Sequence, residues 1–350
     1  MASSPKFVMG IDVGGTKIEA VLLSLKSESQ FEIIERKRIP TMRERGYSLV
    51  LTRMIELIQT LTHKLPQKIR SLSGIGIGLP GTVDPNSELM LNGNTSLFVG
   101  QPLKSDLLKA LGNTTLPIIL ENDANCFTLA EAKAGAGLLY QKETGIPVEK
   151  QISIGIILGT GVGGGLMNEG QIFRGRKGGG LEIGHGPLGS RQDGKPCFCG
   201  LNGCAETYLS GTALTQDFKR ASQGLLPDGN DHGHTIFEKA EDKSSISYKI
   251  VSNYKKNLSL FLVNLTNIFD PDYFYPPSLY IVGFLVGVPI LISPWETMNA
   301  QLSRTRSPSS KSPIIDFFRR TLTLLIIIGI TIFSLMYGFQ ESTNGFIEPF

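Results

Sequence analysis

The sequence is short of cysteine and of net charge, and both shortages narrow what the chain can be. It has only 4 cysteines in 350 residues, and three of them fall between 197 and 204, so there is no disulfide framework and a reducing compartment is expected. The formal charge of +3 is small. Apart from Arg304 to Lys311 there is no basic run, which argues against nucleic acid as a partner and favours small polar substrates. Residues 1–6 are polar and lack the apolar stretch of a secretory signal. The expected location is the cytoplasm.

What is present is apolar content of 41% and 40 glycines. The apolar fraction is ample for the cores of two lobes, the better prior at this length. The glycines come in bursts rather than spreading as in a linker, which points to tight turns near a ligand.

The most telling string runs from Glu182 to Glu206. His185, Cys197, Cys199 and Cys204 lie within twenty residues and supply the four donors of a closed tetrahedral zinc site. Glu182 and Glu206 bracket the cluster without belonging to it. With all four positions filled by protein, the zinc is structural, and the chemistry is expected beside it.

Two further strings repeat one pattern. Phe7 to Val13 reads as a buried strand, Gly14-Gly15 as a turn and Ile18 to Leu23 as a returning strand. Ile152 to Leu158, the string Gly159-Thr160-Gly161-Val162-Gly163-Gly164-Gly165 and a strand from Leu166 repeat it. Such glycines let main-chain N–H groups cup phosphate oxygens, while Thr16 adds a hydroxyl and Asp12 can hold hydrated Mg²⁺. No Gly-Lys-Ser/Thr opens a helix, so this is not a Walker loop.

Glu32 to Ile39, Leu72 to Leu79 and Pro117 to Leu120 read as further strands. Helical spacing appears at Val50, Met54, Leu57, Ile58 and Leu61, and again from Val251 to Phe269. Asp123 to Gly137 reads as one helix rich in small residues. Gly78 to Gly81 and Asn92 to Thr95 read as loops. Asp123, where a strand gives way to that helix, is placed to be a general base that takes the proton of an attacking hydroxyl. The competing role is an N-cap, for which Asp is also preferred. Cys126 reads as a small core residue, and His63, His232 and His234 show no ligand spacing.

In order, DVGGTK, GLPG, ENDAN, GTGVGGG, EIGH and CFCGLNGCAE resemble the ROK family of sugar kinases and related repressors over residues 7–272. The resemblance implies an α/β, two-lobed actin-like ATPase (ribonuclease H-like) fold with a structural zinc loop. Lobes over 1–125 and 126–272 are expected, with a divergent tail over 273–350. It implies ATP-dependent phosphorylation of glucose, N-acetylglucosamine or a similar hexose at a primary hydroxyl, with Mg²⁺ and Zn²⁺ as cofactors.

Residue by residue, the resemblance places Asp12, Gly14, Gly15, Thr16 and Lys17 on the first phosphate turn and Gly159, Thr160, Gly161, Val162, Gly163, Gly164 and Gly165 on the second. Asp123 is then the catalytic base. Asn122, Glu182, His185 and Glu206 bind the sugar, with Gly81, Asn94 and Thr95 nearby. His185 also joins Cys197, Cys199 and Cys204 on the metal. Homodimers are usual in the family. Its repressors carry a helix-turn-helix before the first glycine turn, and the eleven residues before Asp12 leave no room for one.

After Asp272 the pattern departs. Family members continue with a strand and a triple-glycine turn on the adenosine, of which Tyr280 to Leu285 is a remnant; a shifted reading frame or a replaced tail produces such a change. Ser303 to Ser312 reads as disordered. Thr321 to Tyr337 is uncharged and, against the about 17 to 25 residues a span needs, marks the short limit for crossing a bilayer. The alternatives to an active kinase are therefore an inactive sugar-binding or regulatory protein lacking the adenosine segment and a membrane-tethered kinase.

Overall fold

The computed structural model describes residues 6–26, 31–66, 72–93, 96–225 and 232–275. Asn94, Thr95 and everything expected beyond residue 275, including the apolar segment 321–337, lie outside the described residues. Contacts divide the described chain into two units, one of residues 6–148 with Ile172–Gly180 and one of residues 149–171 with 181–275.

In the first unit, near-continuous apolar runs become the central strands of a sheet covered on both faces. Strands β1 (Lys6–Val13) and β2 (Lys17–Leu25) form the expected hairpin, with Asp12 opposite Glu19 and Val13 opposite Ile18. β3 (Phe31–Pro40) pairs outside β2 and is charged and largely exposed, as suits a sheet edge. Helix α1 (Tyr47–Thr62) follows and buries Val50, Met54, Leu57, Ile58 and Leu61, the face its spacing marks.

β4 (Gly74–Leu79) then pairs parallel to β1. β5 (Gly81–Val83) and β6 (Met90–Gly93) make a two-stranded ribbon where the sequence reads as loops, because Asn92 Oδ1 accepts the Thr82 N–H at 3.1 Å and holds the edge. After α2 (Leu103–Leu111), β7 (Ile118–Asn122) completes the sheet order β3-β2-β1-β4-β7. Parallel register puts Asp12 beside Gly78 and Gly78 beside Glu121, one row near the carboxyl ends of three strands. That is where α/β sheets place ligands.

The small-residue helix is two helices, α3 (Asp123–Ala134) and α4 (Ala136–Thr144). Gly135, at φ −126° and ψ −127°, leaves helical geometry, and Glu131 Oε2 accepts the Ala136 N–H at 3.0 Å to start the second piece. α3 is buried on nearly every side, which its Ala, Cys and Thr residues permit.

The second unit is built on β8 (Ile152–Leu158) and β9 (Val162–Asn168), antiparallel, with the short β10 (Gln171–Ile172) at the edge. The glycine turn is therefore confined to residues 159–161. Val162, Gly163, Gly164 and Gly165, expected in the turn, belong to β9. The reason is packing: a Cβ on Gly164 would stand 2.3 Å from Ile183 Cδ1, so the strand needs a bare face where the metal loop begins.

Helices α5 (Glu206–Leu209), α6 (Gly211–Ala221), α7 (His232–Glu238) and α8 (Ile246–Phe269) follow. α8 buries Val251, Tyr254, Phe261 and Leu265, and Tyr254 Oη donates to the Leu209 carbonyl at 2.9 Å. β11 (Tyr273–Tyr275) lies parallel to β8, where Asp272 Oδ2 accepts the Ile152 N–H at 2.8 Å. Among the described residues no helix is long and apolar enough to cross a membrane.

Candidate active site

In the first unit the β1–β2 turn closes with the Gly14 N–H donating to the Lys17 carbonyl at 2.9 Å. A residue from outside the motif locks it. Thr41, buried after β3, donates its hydroxyl to the Gly14 carbonyl at 2.7 Å and its N–H to the Thr16 carbonyl at 3.0 Å. With those carbonyls turned inward, the turn's remaining N–H groups can serve a phosphate. Arg43 brings a cation over the same turn, its Nη1 3.1 Å from where a Gly15 Cβ would be.

Asp12 is half-buried at the foot of the turn. Desolvation, then the charges of Asp123 and Glu19, push its carboxyl up from the ordinary 3.8 to about 7, against the opposing pull of Lys17 and Arg38. Glu19 itself is satisfied by Arg36 and Arg38 of β3. Two carboxylates, Asp12 and Asp123, thus repel across the head of the sheet, an arrangement that a divalent cation relieves.

At the start of α3 the N-cap is Asn122, whose Oδ1 accepts the N–H groups of Ala124 and Asn125 at 2.9 and 3.2 Å. Asp123 is therefore the first helical residue and not the cap. The Asn122 Nδ2 donates to the Gly81 carbonyl at 3.1 Å, so these two sequence-expected sugar residues are joined. Beneath them, buried Glu121 accepts from the Asn122 N–H and Asn125 Nδ2, both at 2.9 Å, and from Arg174 Nε at 2.7 Å. Nothing local announces Arg174; it belongs to the Ile172–Gly180 segment, which returns to this unit. Cys126 is fully buried, and burial holds its thiol well above the ordinary range.

In the second unit the glycine turn closes with the Gly159 N–H on the Gly161 carbonyl at 2.9 Å. The start of α6 holds it, since the Gly211 N–H reaches the Gly159 carbonyl at 2.8 Å and the Thr212 hydroxyl the Thr160 carbonyl at 2.9 Å. Glu206 Oε2 accepts the Val162 N–H at 3.2 Å, which ties the acid after the metal loop to the strand after the turn. Glu182 is exposed, just ahead of the loop.

His185, Cys197, Cys199 and Cys204 come together as the sequence requires, with their ligand atoms within 4.8 Å of one another. The Cys199 and Cys204 sulfurs are 3.6 Å apart, and Cys197 Sγ is 3.6 Å from His185 Nδ1. Zn–S bonds of about 2.3 Å and Zn–N bonds of about 2.0–2.1 Å give tetrahedral edges of about 3.8 and 3.6 Å, so the donors fit that ion. Desolvation, then the neighbouring thiols, push Cys197 up to about 12, while a backbone hydrogen bond from Leu201 lowers Cys199. A divalent cation is what lets all three thiols ionise together. Gly184, beside His185, has its Cα against β9: a Cβ there would lie 2.1 Å from the Val162 carbonyl oxygen.

The model of the ROK family matches residues 8–275, ending where the described residues end. The chain is 30% identical over 281 residues to a glucokinase of Halalkalibacterium halodurans, covering 77% of this chain and 79% of that protein. It is 32% identical over 270 residues to an N-acetyl-D-glucosamine kinase of Yersinia enterocolitica, covering 75% and 80%. The structure of a ROK family glucokinase from Streptomyces griseus in complex with glucose and AMPPNP superposes with a TM-score of 0.59 at 28% identity, over 77% of this chain and 81% of that one. The two-unit α/β architecture, the glycine turns and the Cys₃His loop agree with this likeness, and the chain belongs to the ROK family.

Proposed function

We propose that this chain is an ATP-dependent hexose kinase that phosphorylates a primary hydroxyl of glucose, N-acetylglucosamine or a similar sugar. The observation that carries the reading is the position of Asp123. It stands in the first turn of α3, where Asn122 supplies the cap and Asp123 Oδ1 accepts the Ala124 N–H at 2.9 Å, and its charge is felt by Asp12 at the phosphate turn. A half-buried carboxylate so placed takes the proton of the sugar hydroxyl as its oxygen bonds to the γ-phosphorus and the bond to the ADP oxygen breaks.

The remaining parts position the reactants, which is most of what phosphoryl transfer asks of a protein. Gly14, Gly15, Thr16 and Lys17 hold phosphate oxygens, and Gly159 to Gly161 supply a second turn for the nucleotide. Asp12 would hold Mg²⁺, which offsets phosphate charge when bound. Asn122, Glu182, His185 and Glu206 hold sugar hydroxyls. Zinc on His185, Cys197, Cys199 and Cys204 would fix the loop that contains His185 and is flanked by Glu182 and Glu206, with His185 Nδ1 on the metal side and Nε2 left for the sugar.

The test is hexose-dependent release of ADP by the purified protein with Mg²⁺ and ATP, across a panel of hexoses. Turnover of glucose or N-acetylglucosamine, lost for the analogue lacking the 6-hydroxyl, is expected. Binding of both ligands without ADP release would overturn the kinase reading.

A further inference from the structure

We propose that Arg191 is a positioning residue for the metal loop, a guanidinium clamp that holds the two ends of the ligand set together and neutralises the metal–thiolate cluster. The inference rests on the reading of His185, Cys197, Cys199 and Cys204 as a zinc site. Although Arg191 is exposed, its fork is fully engaged on one side. Nη2 donates to the His185 carbonyl at 2.9 Å, and Nη1 donates to the Asn202 carbonyl at 2.7 Å and to Cys204 Sγ at 3.2 Å. The first ligand, the last ligand and the turn before the last are thus bound to one rigid cation.

The charge argument runs the same way. Three thiolates and a neutral imidazole around a divalent ion leave one surplus negative charge, and one guanidinium cancels it. Lys195 is no substitute, because both oxygens of Asp217 hold its ammonium, at 2.7 and 2.6 Å. Lysine at position 191 would keep the charge, but it lacks the planar fork that reaches two carbonyls and a sulfur at once.

The experiment measures transfer of zinc from the loaded protein to an excess of a chromogenic chelator, in wild type, Arg191→Gln, Arg191→Lys and the control Arg220→Gln. Arg220 carries the same charge on α6 and is 70% exposed. Losing such an outer partner costs about 10- to 100-fold in metal affinity. Arg191→Gln should therefore release zinc about 10- to 100-fold faster, Arg191→Lys should fall between it and wild type, and the control should match wild type. In cobalt-substituted protein the thiolate charge-transfer band should shift in Arg191→Gln, a signature that loosened packing elsewhere would not produce. Should Arg191→Gln fail to load, the lysine variant decides, since release at the wild-type rate there overturns the clamp. Zinc-loaded wild type and Arg191→Gln releasing metal within about twofold of each other overturn this inference alone. A wild type that takes up no zinc removes the metal-site reading with it.

Discussion

Replacing Asp12 with asparagine should stabilise the magnesium-free protein, and the gain should grow with pH. Burial, Asp123 and Glu19 raise the Asp12 carboxyl from 3.8 to about 7, so between those values the folded chain binds more protons than the unfolded one. The sign follows from linkage: stability is fully present below 3.8 and is lost as pH rises through 7. At about 1.36 kcal/mol per pH unit, the shift has a ceiling of about 4 kcal/mol. Because the carboxyl is only half-buried and solvent screens part of the effect, about 2 kcal/mol is the working figure.

Asparagine keeps the shape and carries no charge, so Asp12→Asn should match wild type near pH 4 and exceed it by about 2 kcal/mol at pH 8. For a chain of 350 residues, that difference is about 3 °C in melting temperature. Thermal melts in magnesium-free buffer across this range are the assay. Added Mg²⁺ should stabilise wild type and leave the variant unmoved. A variant less stable than wild type at pH 8, or a gap that does not change with pH, would refute the reasoning.

Other perturbations test other contacts. Gly184→Ala drives a Cβ to 2.1 Å from the Val162 carbonyl oxygen, and since that neighbour is backbone in a strand, a loss above about 3 kcal/mol in chemical denaturation is expected; a near-neutral result would mean the loop does not sit on β9. Asn122→Ala removes the cap of α3 and the bond to Gly81, costing about 0.5–2 kcal/mol by the cap alone, and it should also raise the KM for hexose; unchanged KM with lowered stability would leave Asn122 only a cap. Removing zinc with a strong chelator should open residues 185–204 to protease while α1 and its sheet stay protected, and equal cleavage with and without metal would count against a structural ion.

Much of the fold is legible because its signals are local. The α1 face, the first glycine hairpin and the Cys₃His cluster each lie within a short stretch, and each forms where its spacing points. Glycine is harder to interpret, since the same residue serves a turn at Gly159 and close packing under Ile183 at Gly164. The helix from Asp123 breaks at Gly135 because Glu131 accepts the next amide, a side-chain choice that periodicity does not register. Least legible are the supports of the site. Thr41 reaches Gly14 across 27 residues and Arg174 reaches Glu121 across 53, so their roles exist only once the sheet has brought them together.

The central claim is that one carboxylate, Asp123, accepts the proton of the attacking sugar hydroxyl. Its most direct test is the kcat of Asp123→Asn, measured alongside calorimetric binding of hexose and ATP. Loss of a positioned general base predicts a kcat lower by about 10²- to 10⁴-fold with both ligands still bound. Turnover at the wild-type rate would contradict the account.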